Sequence, residues 1–168
     1  YTTHMIHAGA AAAKLQAAGG VRSLAFDASL EELIPALCCG ASIRLGGGGP
    51  HEPNATFSRW LEREGVTVVD LPTRFWQTWV HELAVCGDSV PSTVRAVVIG
   101  GEQVFASSIY EWARLKGGRL INTYGPAETA IVVSGIDLLP SAEPWAESGV
   151  VPIGSPIANT QLLVLDDR

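Results

Sequence analysis

Apolar residues in this chain fall into short unbroken runs, and between the runs they recur every three or four positions. The runs predict buried strands and the recurrences predict amphipathic helices. Thr3 to Ala18, with its alanines, reads as a helix stopped by Gly19-Gly20. Val21 to Phe26 is a short strand, and Asp27 or Ser29 caps a helix running through Leu30, Leu33, Ile34 and Leu37 to Gly40. Ala41 to Leu45 is the next strand, followed by a glycine loop from Gly46 to Pro50. Asn54 caps a helix with Phe57, Trp60 and Leu61 on one face, ended by Gly65. Val66 to Leu71 reads as a fully buried strand that Pro72 breaks. A helix then begins at Thr73 and carries Phe75, Trp76, Trp79, Val80 and Leu83. Gly87 to Pro91 is a loop. Val94 to Ile99 is a buried strand entering Gly100-Gly101-Glu102, and Ser107 to Leu115 is a helix closed by Gly117-Gly118. Leu120-Ile121 is a short strand that reaches the turn Tyr124-Gly125-Pro126. Ile136 to Gly149 reads as a long surface loop, Ile153 to Pro156 as a second turn, and Thr160 to Leu165 as a last strand.

Strands alternating with helices predict an α/β domain: a mostly parallel sheet, right-handed crossovers and helices on both faces. No repeat or linker divides the chain, so 1–168 reads as one folding unit, with 151–168 as the start of an adjoining sheet.

Composition narrows the function. A hydrophobic fraction of 47% in 168 residues marks a folded chain with a sizeable core. The net charge of −6 argues against a nucleic-acid or anionic-membrane binder, since both require basic patches. No apolar run approaches the roughly 20 residues that span a bilayer. Cys38, Cys39 and Cys86 lack metal-ligand spacing, and their odd number suggests no disulfide framework. They are expected to be partly buried thiols in a reducing cytosol. The glycine loop at 46–50 has no following Lys-Ser/Thr, so it reads as a plain connection rather than a phosphate cradle.

Chemistry is expected at the strand ends, where open α/β sheets bind ligands. Phe26-Asp27, Val69-Asp70, Ile99-Gly100 and Asn122–Tyr124 would lie side by side there and form a crevice lined by Asp27, Glu31, Asp70, Gly100 and Thr123. Carboxylates so gathered raise one another's pKa, and a bound cation relieves that cost. Taken singly, each acid also reads as a helix cap or a solvated rim. The turn after the last parallel strand adds a flat ring at Tyr124, a carboxylate at Glu128 and small polar groups at Asn122 and Thr129. A ring can stack on a base, an amide can read its edge, and a carboxylate can hold Mg²⁺ beside phosphates.

Asn122-Thr-Tyr-Gly-Pro-Ala-Glu128 resembles the Asn-x-Tyr-Gly-Pro-Thr-Glu segment of adenylate-forming enzymes, more narrowly the amino-acid adenylation domains of nonribosomal peptide synthetases. Leu24–Glu32, Val69–Thr73, Ala96–Glu102 and Val151–Asn159 resemble further segments of that family, in the same order. The resemblance implies the flavodoxin-like or Rossmann-like part of the large subdomain. By it, Asp27 would bind the substrate α-amino group, and Ala28, Glu31, Asp70, Val98, Gly100, Thr123, Ile131 and Val132 would line the side-chain pocket. Carboxylates at Glu31 and Asp70, with room above Gly100, suit a basic amino acid such as lysine, ornithine or arginine. Gly100, Gly101 and Glu102 would wall the adenine and ribose site, Asn122 and Thr123 would read the adenine, and Tyr124 would stack on it. Gly125 would allow close approach of the nucleotide, and Glu128 would ligate Mg²⁺. Ala127 replaces the family's usual Thr, which removes one hydroxyl donor worth on the order of 1 kcal/mol.

The resemblance also implies ATP and Mg as cofactors. Its partners would be the remainder of an adenylation domain and a peptidyl carrier protein bearing phosphopantetheine. The family's phosphate loop would precede residue 1, and its ribose-clamping segment and catalytic lysine would follow residue 168, so the chain alone is expected to lack the first half-reaction. An acyl- or aryl-CoA ligase, and a non-catalytic binding domain, remain alternatives. The ligase would have no need of a carboxylate at position 27.

Overall fold

The computed structural model describes residues 4–7, 34–38, 40–45, 52–129, 131–139 and 149–166. Among them one sheet of seven strands dominates: β1 (His4–His7), β2 (Ser42–Leu45), β3 (Val68–Pro72), β4 (Ala96–Gly100), β5 (Arg119–Tyr124), β6 (Ser134–Asp137) and β7 (Ser155–Pro156). Their spatial order is β2-β1-β3-β4-β5-β6-β7. β1 to β5 run parallel, and β6 and β7 add antiparallel at the β5 side. This is the α/β architecture with a mostly parallel sheet that the alternating pattern predicts.

Three helices follow from capping and periodicity. In α1 (Ala55–Arg63) the Asn54 side chain accepts from the backbone N–H of Thr56 at 2.9 Å and of Phe57 at 3.4 Å. These groups would otherwise lack a partner in the first turn. At its far end Gly65 takes a φ of 66°, which lets Val66 N–H reach back to Leu61 O at 2.9 Å. α2 (Thr73–Cys86) and α3 (Ala106–Arg114) lie in the crossovers after β3 and β4. Residues 34–38 are helical as well, ending at Gly40.

All three labelled helices pack on one face of the sheet. Val69, Leu71, Val97, Ile99 and Leu120 supply the sheet side of this core. Leu61, Trp76, Trp79, Leu83, Ile109 and Trp112 supply the helix side. The rings meet edge to face or tilted: Phe57–Trp79 at 5.2 Å, Trp76–Trp112 at 6.1 Å and Trp79–Trp112 at 5.7 Å between centroids. Two indole N–H groups are satisfied inside it, Trp79 on Ser58 Oγ at 2.9 Å and Trp112 on Gly118 O at 2.8 Å. The aromatic stripes on α1 and α2 are therefore core.

Four local expectations differ from the structure. His4–His7 is a strand between β2 and β3, not the start of a helix; pairing on both edges outweighs the helix propensity of the alanines that follow. Ser134–Asp137 is a strand rather than the lead-in and start of a surface loop, because its backbone pairs with β5 and then with β7. Thr160–Leu165 forms no strand among the described residues: Leu163, Val164 and Leu165 are exposed, and the last paired segment is Ser155–Pro156. Cys38 and Cys86 are exposed free thiols rather than partly buried ones. Most of the Thr3–Ala18 helix, the Val21–Phe26 strand, the Gly46–Pro50 loop and Cys39 lie outside the described residues.

Candidate functional site at the ends of the parallel strands

Register decides which side chains meet. β3 and β4 pair Asp70 with Val98 and Pro72 with Gly100, and β4 and β5 pair Gly100 with Thr123. Paired residues of parallel neighbours share a face, and residues two apart share it again. Asp70, Val98, Gly100 and Thr123 therefore occupy one face, opposite the one the labelled helices cover. A Cβ at Gly100 would stand 2.6 Å from Thr123 Oγ1 and 2.9 Å from Thr123 O, so glycine here is what lets Thr123 pack against the strand, and the room expected above Gly100 is taken by that threonine. Asp70 is buried at 9% exposure, and Val98 and Thr123 are half-buried. Thr123 Oγ1 donates to Ile99 O at 3.2 Å, and Thr73 Oγ1 to Gly100 O at 3.2 Å, which ties the three strand ends together.

Alternation puts Asn122 and Tyr124 on the other face. There a cavity of about 570 Å³ opens at the C-terminal edge, within the size range of small-molecule sites. Its lining comes from Gly101–Val104 after β4, Asn122–Pro126 at the end of β5, and Val150, Val151 and Ile153. Asn122 is buried and donates its amide N–H to Pro152 O at 3.4 Å. A carbonyl can only accept, so the amide is oriented with Oδ1 as its other end. Ser134 Oγ donates to Ile153 O at 2.8 Å and anchors the same wall. Tyr124 is 45% exposed at the rim, its ring available to a planar group.

Beyond Pro126 the chain makes a short 3₁₀ turn, Ala127–Thr129. Thr129 closes it by donating its N–H (3.0 Å) and Oγ1 (2.8 Å) to Pro126 O. Glu128 is exposed on this turn. The space a Cβ would fill at Gly125 is taken by the chain itself, with Ile131 O 2.1 Å away.

Of the residues singled out from the sequence, Gly101, Glu102, Asn122, Thr123, Tyr124 and Gly125 line one cavity. Asp70, Val98 and Gly100 neighbour it on the other face, and Ile131 and Val132 lie against Gly125. Glu128 is not among the residues lining the cavity. Asp27, Ala28 and Glu31 are outside the described residues. Gln103, Val104, Pro126, Val150, Val151 and Ile153 also line the cavity and carried no assigned role. The 151–159 segment carries a motif in its sequence, and the fold shows that its backbone buttresses Asn122 through Pro152 O.

The family model for AMP-binding enzymes matches residues 6–168. An isonitrile lipopeptide synthase of Streptomyces coeruleorubidus is 34% identical over 146 residues, covering 86% of this chain and 10% of that protein. Bacitracin synthase 3 of Bacillus licheniformis is 33% identical over 148 residues, covering 87% of the chain and 2% of that protein. The chain thus spans a tenth or less of the length of these relatives. Among solved structures, PA1221, an NRPS protein containing adenylation and PCP domains, superposes with a TM-score of 0.71 at 25% identity, over 86% of this chain and 28% of that one. The O-succinylbenzoate coenzyme A synthetase of Bacillus subtilis, in complex with ATP and magnesium ion, shares the fold with a TM-score of 0.69 at 12% identity, over 98% of this chain and 29% of that one. No helix among the described residues is long and apolar enough to cross a membrane. The chain belongs to the AMP-binding enzyme family and, within it, to the adenylation domains of the nonribosomal-peptide-synthetase kind.

Proposed function

We propose that this chain is the substrate-selecting part of an amino-acid adenylation domain and that its substrate is a basic amino acid of the lysine, ornithine or arginine type. The observation that carries the reading is Asp70, a buried carboxylate on the same face as Gly100 and Thr123 at the strand ends. In surroundings of low dielectric a carboxylate favours a cationic side chain over an apolar one.

ATP is the co-substrate, and its adenine fits the cavity between Gly101–Val104 and Asn122–Pro126. Asn122 Oδ1 accepts from the exocyclic amine of adenine and would meet the carbonyl of guanine as a second acceptor. Tyr124 stacks on the ring. Glu128 is an exposed carboxylate on a closed turn beyond Tyr124, a donor of the hard-oxygen type that Mg²⁺ prefers. When bound, that ion neutralises phosphate charge. The residues of this chain bind and orient the reactants so that the amino-acid carboxylate faces the α-phosphorus, a contribution made by positioning. The products would be aminoacyl-AMP and pyrophosphate, with the acyl group then passed to the phosphopantetheine thiol of a carrier protein.

Amino-acid-dependent ATP–pyrophosphate exchange by the intact domain, run across a panel, tests this. Lysine, ornithine or arginine is expected to lead; a preference for leucine or phenylalanine overturns the basic-substrate reading.

A further inference from the structure

The chain leaves β5 at Tyr124 and rejoins the sheet as β6 at Ser134, and two backbone contacts hold the exit and the return together. At the base, Val133 N–H donates to Tyr124 O at 2.8 Å. Beside it Gly125 is seated on the returning strand: a Cβ there would lie 2.1 Å from Ile131 O and 2.8 Å from Val132 Cα. Ile131 makes this contact with a φ of 80°. For a β-branched residue that is an outlier, because Cβ crowds the backbone in the left-handed region. Such a conformation persists only where its surroundings over-determine it, and it gathers at ligand clamps and switches. Between the two contacts stands the 3₁₀ turn with Glu128, closed on Pro126 O by Thr129. Side-chain requirements do not explain an isoleucine here, since glycine or asparagine would take this backbone with less strain.

We propose that Ile131 is a positioning residue. Its left-handed backbone, seated on Gly125, joins the Glu128 turn and the 131–132 wall into one unit, so that amino acid and Mg·ATP bind cooperatively. The inference rests on the reading of the site given above. A contact made by the chain's own carbonyl, rather than by a ligand, is what forbids a side chain at position 125. Ile131 O and Val132 Cα stand against Gly125, which lines the nucleotide cavity together with Tyr124 and Pro126.

The test is made on the intact adenylation domain. The affinity for Mg·AMPPNP is measured calorimetrically with and without the panel amino acid that best drives exchange, alongside the thermal midpoint. In Ile131→Gly, which relaxes the strained backbone, the enhancement of nucleotide affinity by the amino acid is expected to fall about fivefold or more. The midpoint should stay level or rise. Ile131→Asn, which keeps a Cβ and tolerates the left-handed region, should lose less of the enhancement than Ile131→Gly. Gly125→Ala should lose it, and the loss should be smaller in the Ile131→Gly background, where the facing backbone can give way. If Gly125→Ala fails to fold, the two Ile131 variants decide alone. An unchanged enhancement in Ile131→Gly overturns the proposal, as does a fall in midpoint with the enhancement intact. Absence of exchange in the unaltered domain would sink the functional reading and this inference with it; exchange with an unmoved enhancement in Ile131→Gly sinks the inference alone.

Discussion

Asn122 holds Pro152 O through its amide N–H, and in the proposed function its Oδ1 would be the acceptor for adenine. Asn122→Asp keeps the shape and removes the donor, so two acceptors face each other where a hydrogen bond stood. Losing a buried bond in this way costs about 1–3 kcal/mol. The KM for ATP in exchange is therefore expected to rise by roughly five- to a hundredfold, with the ranking of amino acids unchanged. A second residue tests the core. A Cβ at Gly117 would lie 2.1 Å from the Trp112 ring, whose own N–H is committed to Gly118 O. Gly117→Ala is expected to cost about 1–3 kcal/mol of stability through overpacking, read as a lower urea midpoint at unchanged slope. Position 122 was legible in the sequence because it sits in a contiguous motif. Its partner was not, because Pro152 is 30 residues away and contributes a backbone carbonyl that any residue type would supply.

Elements were legible where their information is local. α1 has an Asn cap, a 3.6-residue apolar stripe and a terminal glycine, and it forms with its cap where expected. Asn54→Ala should cost about 1 kcal/mol by orphaning two N–H groups in the first turn. Equilibrium urea unfolding of the protein checks this, with Asn54→Ser predicted to recover most of the loss. Elements were not legible where partners at a distance decide. Ser-Gly-Ile-Asp at 134–137 has no alternation to betray a strand; it becomes one because Thr123, Asn122 and Tyr124 offer their backbone groups to it. The reverse holds for Thr160–Leu165, whose apolar run reads as a strand yet has no strand partner among the described residues. His4–His7 followed the same rule, becoming a strand flanked by two others despite the helical character of the run behind it.

At the scale of the molecule, the parallel sheet and its helices make one core, and the cavity sits on that core's C-terminal edge rather than on a detached lobe. Asn122 belongs to both, since it is a buried residue of β5 and a lining residue of the cavity. A ligand that grips Asn122 must therefore stabilise the whole cooperative unit, by about 2.7 kcal/mol at a hundredfold excess over its Kd. Trp76, Trp79 and Trp112 form a contiguous ring cluster in that core, so tryptophan fluorescence reports its loss directly. In urea unfolding of the intact domain, AMP is expected to raise the midpoint, whereas GMP at equal concentration should leave it nearly unmoved. The distinction follows from the proposed use of a single amide: Oδ1 would meet a donor on adenine and another acceptor on guanine. Asn122→Asp should weaken the shift with AMP, because the wall at 150–153 then loses the donor that anchors it. An equal shift by AMP and GMP in the unaltered protein would mean that the base is held by stacking on Tyr124 alone, and the assignment of Asn122 as the reader of the ring would fall.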